Sequence, residues 1–263
     1  MTEQTIRTHI DGRGVATVTM SRPDKHNAFD DGVIAELTNA FQALAENPQV
    51  RIMILAAEGK SFSAGADLGW MQRMANYSYD ENLRDANALA NMLKTLNTLP
   101  FPTIARVQGA AFGGAVGLVS CCDMAVAAPK ASFCLSEVKI GLIPATISPY
   151  VMAAIGQRAC RRYFMTAERF SAETAAQLGL VSELVDAEIL DSRIDELVNT
   201  LLANSPAAIR AAKRLVLDIE NRVLTDDLIA DSSERIATIR VSGEGQEGLN
   251  AFLEKRPASW ING

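Results

Sequence analysis

The sequence predicts an α/β fold with a largely parallel sheet, followed by a helical C-terminal region. Three observations carry this. Short strand-like runs alternate with segments of helical period through the first half of the 263 residues. Ile52-Met53-Ile54-Leu55-Ala56 is a continuous apolar run, the pattern of a strand covered on both faces. From residue 148 onward the pattern is almost wholly helical, with Ser205-Pro206 as a clean helix start. A composition shift near residue 195 divides the chain into a core over residues 1–195 and a helical region over residues 196–263.

Taken in order, residues 5–10 and 15–20 alternate as two strands joined by the hairpin-type turn Asp11-Gly12-Arg13-Gly14. Residues 21–28 form a polar loop stiffened by Pro23. Asp30 and Asp31 suit a helix N-terminus, and Val33, Ile34, Leu37, Phe41 and Leu44 follow at helical spacing up to Pro48. Residues 58–66 are a loop of small residues, Asp67 opens a second segment, and residues 80–99 are helical in pattern until Pro100 and Pro102 stop them. Residues 103–107 then read as a strand, 118–122 as a helix and 124–127 as a strand, and the loop after Phe133 carries Glu137, Gly141 and Pro144.

Between the strand at 103–107 and the helix at 118–122 stand Gly109, Gly113, Gly114 and Gly117. Glycine weakens both helix and strand, so such a density needs a reason. One reason is close approach of backbone N–H groups to an anion, or to an atom that becomes negative, at a helix N-terminus. The other is a tight strand-to-helix packing joint.

Composition narrows the partners. A formal net charge of −6 argues against nucleic acid or an anionic membrane as the main partner, although a small anionic ligand remains compatible with it. The longest nearly apolar run, residues 109–122, falls short of the roughly 20 residues that span a bilayer. Residues 1–7 lack an apolar export core and an Arg/Ser-rich presequence, so a cytoplasmic location is expected. Cys121, Cys122, Cys134 and Cys160 form no Cys-x-x-Cys and read as buried thiols in a reducing compartment.

The chemistry is narrowed too. The two histidines, His9 and His26, have no ligand-spaced neighbours, so no metal site is expected, and a Ser-His-Asp arrangement lacks support. Gly-x-Ser-x-Gly, the phosphate-cradling Gly-x-x-x-x-Gly-Lys-Ser/Thr and Gly-x-Gly-x-x-Gly are all absent. Carboxylate acid/base chemistry, backbone electrostatics or pure binding remain. Two Gly/Ala-rich stretches, Ser63-Ala64-Gly65-Ala66-Asp67-Leu68 and Phe112-Gly113-Gly114, each precede a helical segment. If their N–H groups converge they make a two-donor oxyanion hole.

At this point the chain resembles the crotonase (enoyl-CoA hydratase/isomerase) superfamily. The resemblance rests on Ser-Phe-Ser-Ala-Gly-Ala-Asp-Leu at 61–68, the glycine stretch at 109–114, Cys-Asp-Met at 122–124 and Phe-Cys-Leu-Ser-Glu-Val-Lys-Ile-Gly-Leu-Ile-Pro at 133–144. Arg22-Pro23, Asn27-Ala28 and Ala251-Phe252-Leu253-Glu254-Lys255-Arg256 extend it over essentially the whole chain. It implies a spiral of ββα turns with a C-terminal helical trimerisation region, as a homotrimer or a hexamer of two trimers. It implies an acyl-CoA thioester as substrate, with no cofactor beyond the CoA of that substrate. By resemblance, the N–H groups of Ala66 and Gly114 hold the thioester oxygen and Gly113 adjoins them. Lys25, His26, Ala64, Asp67 and Leu68 line the CoA path, and Phe252 and Lys255 reach the CoA of a neighbouring subunit.

The best-known hydratases of the family use two glutamates. Glu137 matches the second, but the first falls on Gly117, which cannot exchange a proton. Glu137 alone then activates water and returns the proton, or shuttles a proton in an isomerase, or the protein binds acyl-CoA with little turnover. Trp70-Met71 and Ser148-Pro149-Tyr150 bring the chain nearest to bacterial methylglutaconyl-CoA hydratases of leucine breakdown. That resemblance implies hydration of a branched α,β-unsaturated acyl-CoA. A distal carboxylate on such a substrate needs a cation; Arg73 is the first candidate and Arg84 the second, with solvated helix charges as the alternative for both.

Overall fold

The computed structural model describes residues 5–261. The expectation about export signals rests in part on residues 1–4, outside the described residues. The chain forms two compact units. The first comprises residues up to Leu99 and Thr103–Ile194; the second comprises Pro100–Pro102 and the residues from Asp195 onward.

The first unit opens with the antiparallel hairpin β1 (Ile6–Ile10) and β2 (Val15–Met20). Gly14, at φ +79°, closes its turn, and the Asp11 carboxylate accepts the N–H groups of Arg13 and Val15. Helix α1 (Asp31–Glu46) is capped by Asp30, whose side chain accepts the Val33 N–H at 3.0 Å. Its apolar stripe of Val33, Ile34, Leu37, Phe41 and Leu44 is buried. Strand β3 (Ile52–Ala57) is almost completely buried, as its unbroken apolar run requires. Asp67 caps α2 (Leu68–Met74), and a reciprocal Ser78–Glu81 capping box starts α3 (Tyr79–Asn97), which buries Met92, Leu93 and Leu96.

The chain continues through β4 (Thr103–Val107), β5 (Ala111–Phe112), α4 (Gly114–Cys121), β6 (Met124–Ala127), β7 (Ser132–Cys134), α5 (Ser148–Thr166), β8 (Phe170–Ser171), α6 (Ala172–Leu178) and β9 (Glu183–Leu184). The larger sheet has the order β1-β2-β3-β4-β6-β9, parallel except for β1. A smaller sheet pairs β5 with β7 in parallel and β7 with β8 antiparallel. Thus the α/β class and parallel sheet agree with the sequence expectation.

Two local readings are corrected. The glycine stretch is not a single loop: Ala111 and Phe112 pair with β7, and α4 begins at Gly114 rather than at residue 118. Tertiary packing overrides glycine's poor helix propensity there, because α4 is buried nearly all round and packs against both α3 and α5. The C-terminal half is also not purely helical, since β8 and β9 each add a two-residue strand to a sheet. Runs this short have no period to read; only their partners define them.

The main part of the second unit begins within α7 (Leu190–Leu202) and continues through α8 (Pro206–Ile219), α9 (Asp226–Val241) and α10 (Gly243–Glu254). Helices α9 and α10 pack together, and Glu244 accepts from the Ser205 hydroxyl at 2.6 Å and the Ala207 N–H at 3.0 Å. No helix among the described residues is long and apolar enough to cross a membrane.

The approach of the chain at Gly109 to the loop after β3 is the tightest joint in the first unit. A Cβ at Gly109 would lie 1.9 Å from the Lys60 carbonyl oxygen, a backbone atom that cannot rotate away. Overpacking of this kind costs about 1–3 kcal/mol when side chains can yield. Against backbone, Gly109→Ala is expected to reach or exceed about 3 kcal/mol, lowering the unfolding temperature by roughly 6–12 °C. Differential scanning fluorimetry against wild type measures this.

Candidate active site

Backbone pairing between two glycine-containing segments builds the site. Ser63 forms a parallel bridge to Ala111, with Ser63 N–H donating to Ala110 O and Phe112 N–H to Ser63 O, both at 3.0 Å. Gly65, at φ +93°, lies so close that a Cβ there would sit 3.0 Å from Phe112 O. Side-chain amides fix the preceding loop. Gln108 Nε2 donates to the carbonyls of Ala57, Gly59 and Ser61, and Asn27 Nδ2 to those of Glu58 and Ser61.

Phe29 links the two predicted donors. Its N–H donates to Gly65 O and its carbonyl accepts the Asp67 N–H, each at 2.9 Å, so Phe29 bridges Ala66 in parallel fashion. In such a bridge the N–H of Ala66 itself points away from Phe29. The Phe29 ring meets the other segment: a Cβ at Gly114 would be 2.8 Å from its Cε2 atom. Ala66 and Gly114 therefore lie against the backbone and the ring of one buried residue. Gly114 is the first residue of α4, where N–H groups have no intrahelical acceptor. Among the described residues, no protein acceptor takes the N–H of Ala66 or of Gly114.

Glu137 opens a 3-10 turn, Glu137–Ile140, just after β7. The pairing of β5 with β7, extended by Gly113 N–H donating to Cys134 O at 2.8 Å, brings the carboxylate to the head of α4. A Cβ at Gly113 would be 3.3 Å from Glu137 Oε1. The other oxygen, Oε2, is buried with no hydrogen-bond partner among the described residues, and burial pushes the Glu137 carboxyl above the ordinary glutamate range. An unpartnered buried carboxylate is costly, and groups of this kind concentrate at functional sites.

Gly117 lies one helical turn beyond Gly114, and its face is closed. A Cβ there would lie 2.3 Å from Ile147 Cγ2, 2.9 Å from Ile147 Cβ and 3.4 Å from Leu93 Cδ2. Ile147 and Leu93 thus occupy the space that a side chain at 117 would need, and both are buried.

The remaining predicted site residues divide by unit. Lys25 Nζ lies 3.4 Å from Asp67 Oδ2, and Arg22 shares the same carboxylate at 3.5 Å. Burial alone would raise the Asp67 pKa, but the N–H groups of Trp70 and Gly69, together with Lys25, hold it below the ordinary range. His26 and Asn27 both take left-handed backbone, with φ +50° and +52°; His26 O accepts the Ala64 N–H and its ring meets Ser61 Oγ at 3.2 Å. Leu68 is exposed. Phe252 and Lys255 belong to the second unit: Phe252 is exposed on α10, and Lys255 is its left-handed C-cap.

Arg73 is committed elsewhere, forming an ion pair with Asp31. Arg84 lines a surface cavity with Tyr77, Glu81, Asp85 and Ala88. Sequence reasoning missed Phe29, Leu93 and Ile147. Phe29 carried a faint signal, a large apolar residue inside a polar loop; Leu93 and Ile147 looked like any core residues.

Comparison with known proteins identifies the family. Residues 11–263 match the family model described as Enoyl-CoA hydratase/isomerase. A crystal structure of an enoyl-CoA hydratase from Shewanella pealeana superposes with a TM-score of 0.95 at 49% identity, covering 98% of this chain and 96% of that one. A putative enoyl-CoA hydratase of Thermus thermophilus is 32% identical over 92% of this chain and 96% of its own length. The crotonyl-CoA hydratase of Syntrophomonas wolfei is 28% identical over 94% and 95%. With motifs, fold and relatives in agreement over nearly its full length, the chain belongs to the enoyl-CoA hydratase/isomerase family.

Proposed function

We propose that this protein hydrates a branched α,β-unsaturated acyl-CoA, with Glu137 as its one acid/base group and the N–H groups of Ala66 and Gly114 as its oxyanion hole. The observation that carries the reading is the buried, unpartnered Oε2 of Glu137 beside the head of α4, whose first N–H also lacks a protein partner. Relatives whose names describe enoyl-CoA and crotonyl-CoA hydratases support the reaction class. The nearness of the motifs to methylglutaconyl-CoA hydratases supports a methyl-branched substrate.

The chemistry follows from the groups present. The thioester oxygen accepts the two N–H groups, which draws electrons from the double bond and makes its β-carbon electrophilic. Glu137 removes a proton from a water as that oxygen bonds to the β-carbon, and the π electrons collect on the thioester oxygen as an enolate. The resulting carboxylic acid of Glu137 then protonates the α-carbon, which regenerates the carboxylate. One group serves both transfers, so hydrogen and hydroxyl add to the same face. The reaction is redox-neutral and calls for no cofactor beyond the CoA of the substrate. Each oxyanion donor is worth about 2.7–4 kcal/mol in such a step. The helix dipole of α4 adds to the contribution of Gly114.

The filled space at Gly117 leaves no room for a second glutamate at that position. The same observation suits an isomerase that shuttles one proton on Glu137, so hydration and isomerisation must be compared directly. Neither Arg73, held by Asp31, nor Arg84 is assigned to a distal carboxylate.

Assembly as a trimer, or as two trimers, belongs to the same proposal. It is supported by the groove of about 610 Å³ between α8 and α9, lined in part by Ala208, Ala211, Leu215, Ile236 and Ile239. The nearby exposure of Val216, Ile219, Ile229 and Val241 points the same way. Phe252 and Lys255 would then serve the CoA of a neighbouring subunit.

Glu137→Gln keeps the shape and removes the proton-carrying group, so hydration is expected to fall by about 10²–10⁴-fold in kcat. The same variant is expected to unfold at a temperature equal to or above that of wild type at neutral pH, since it no longer buries an unpartnered charge. A folded-state pKa above the unfolded value makes the wild type lose stability as pH rises through that folded pKa. The stabilisation by Gln therefore shrinks as pH falls through the raised folded-state pKa and is gone below about 4.3, the ordinary glutamate value. The acid limb of the wild-type pH–rate profile is expected above that value as well.

A substrate panel tests the reaction itself. Methylglutaconyl-CoA and crotonyl-CoA are expected to be hydrated, with the branched substrate showing the higher kcat/KM. A 3-enoyl-CoA converted faster than either is hydrated would establish the isomerase instead.

A further inference from the structure

We propose that Asp85 is a positioning residue: through its hydrogen bond with Trp70 it fixes α2 on α3, and so sets where the Ala66 N–H stands relative to that of Gly114. This inference rests on the oxyanion-hole reading above and adds a residue that acts on it through another. Three observations carry it. Helix α2 begins two residues after Ala66, and the intervening Asp67 caps it by accepting the N–H groups of Gly69 and Trp70, at 2.8 and 3.2 Å. Trp70 is the residue that this short helix buries, and its Nε1–H donates to Asp85 Oδ1 at 3.3 Å. Asp85 stands on α3, which packs against α4, the helix that begins at Gly114.

Each donor therefore lies at the start of a different helix, and α3 is tied to both. The other side-chain ties of α2 hold it less firmly. Arg73 pairs with Asp31 of α1, but both side chains are about half exposed, and such a pair contributes little. Arg22 and Lys25 clamp Asp67, which secures the start of α2 and leaves the body of the helix to Trp70. A buried indole contributes a large apolar surface, and its N–H then needs an acceptor. Asp85 supplies one against resistance. Burial pushes its carboxyl above the ordinary aspartate range and Asp31 adds to this, while the Trp70 hydrogen bond and Arg73 oppose it. A charged acceptor gives the stronger bond in return. Without that bond α2 can pivot on Asp67, and Ala66 is the adjacent residue. A displacement of about 1 Å in a reacting geometry can cost roughly 10²-fold in rate.

The test reads the oxyanion hole directly. 4-Dimethylaminocinnamoyl-CoA, a conjugated thioester, absorbs at longer wavelength when its carbonyl oxygen accepts hydrogen bonds, because excitation moves negative charge onto that oxygen. Its absorbance maximum is recorded at saturation with wild type, Asp85→Asn, Asp85→Leu and Trp70→Phe, alongside steady-state kinetics on crotonyl-CoA and the unfolding temperature. Wild type is expected to shift the maximum to the red. Asp85→Asn, which keeps a neutral acceptor, should retain more of that shift than Asp85→Leu or Trp70→Phe, which break the bond. In Asp85→Leu, kcat is expected to fall by about 10–100-fold with KM changed much less. Trp70→Phe keeps a buried ring and carries the test if Asp85→Leu fails to fold. A full red shift with wild-type kcat in the bond-breaking variants would mark an ordinary packing contact, whatever their unfolding temperature, and overturn this inference alone. So would an Asp85→Asn variant no better than Asp85→Leu. A wild type that binds the ester without any red shift would overturn the oxyanion-hole reading and this inference with it.

Discussion

The candidate site depends on one constraint: two stretches of backbone run side by side at distances that forbid side chains between them. The joint between the loop after β3 and the segment leading into α4 is held by main-chain hydrogen bonds through Ser63, Ala110 and Phe112. It exists because Gly109 and Gly65 carry no Cβ where Lys60 O and Phe112 O intrude. Phe29 then ties the two stretches together from one side, pairing with the residues that flank Ala66 while its ring abuts Gly114. Both unpartnered N–H groups are in this way held by elements that cannot move independently. Such preorganisation is what an oxyanion hole needs, because donors that must reorient during reaction lose much of their effect.

Against this rigid backbone stands one electrostatic expense, the buried carboxylate of Glu137. Among the described residues nothing hydrogen-bonds its Oε2, and burial raises its affinity for a proton. A carboxylate in that condition is a stronger base than one in water, as the proposed water activation requires. The surroundings treat Asp67 in the opposite way: two N–H groups, Lys25 and Arg22 stabilise its charge, and it serves as a helix cap and clamp. Two acidic residues near the same loop pair are thus driven in opposite directions by their surroundings.

Some of this was legible in the letters and some was not. The glycine stretch announced a close backbone approach, and Asp30 and Asp67 announced where helices start. Glu137 stood out only through resemblance, since a single glutamate in a loop has no local signature. The pairing of Ala111 and Phe112 with β7 was hidden, because two residues have no period and the partner lies beyond an intervening helix. Gly117 was legible as a missing glutamate but not as a closed position. That required Ile147, thirty positions along the chain, and Leu93 from a different helix.

By itself, then, the sequence determined the α/β class, the helix caps, the parallel sheet and the family, since these rest on short-range patterns of polarity, glycine and capping groups that need no partner to be read. Tertiary structure alone decided that Ala66 and Gly114 share Phe29, that the Glu137 carboxylate is buried without a partner, and that Ile147 fills the face of Gly117. Each of these is a meeting of residues far apart in the chain. Their contact distances, which set desolvation and steric exclusion, exist only once the layers have packed.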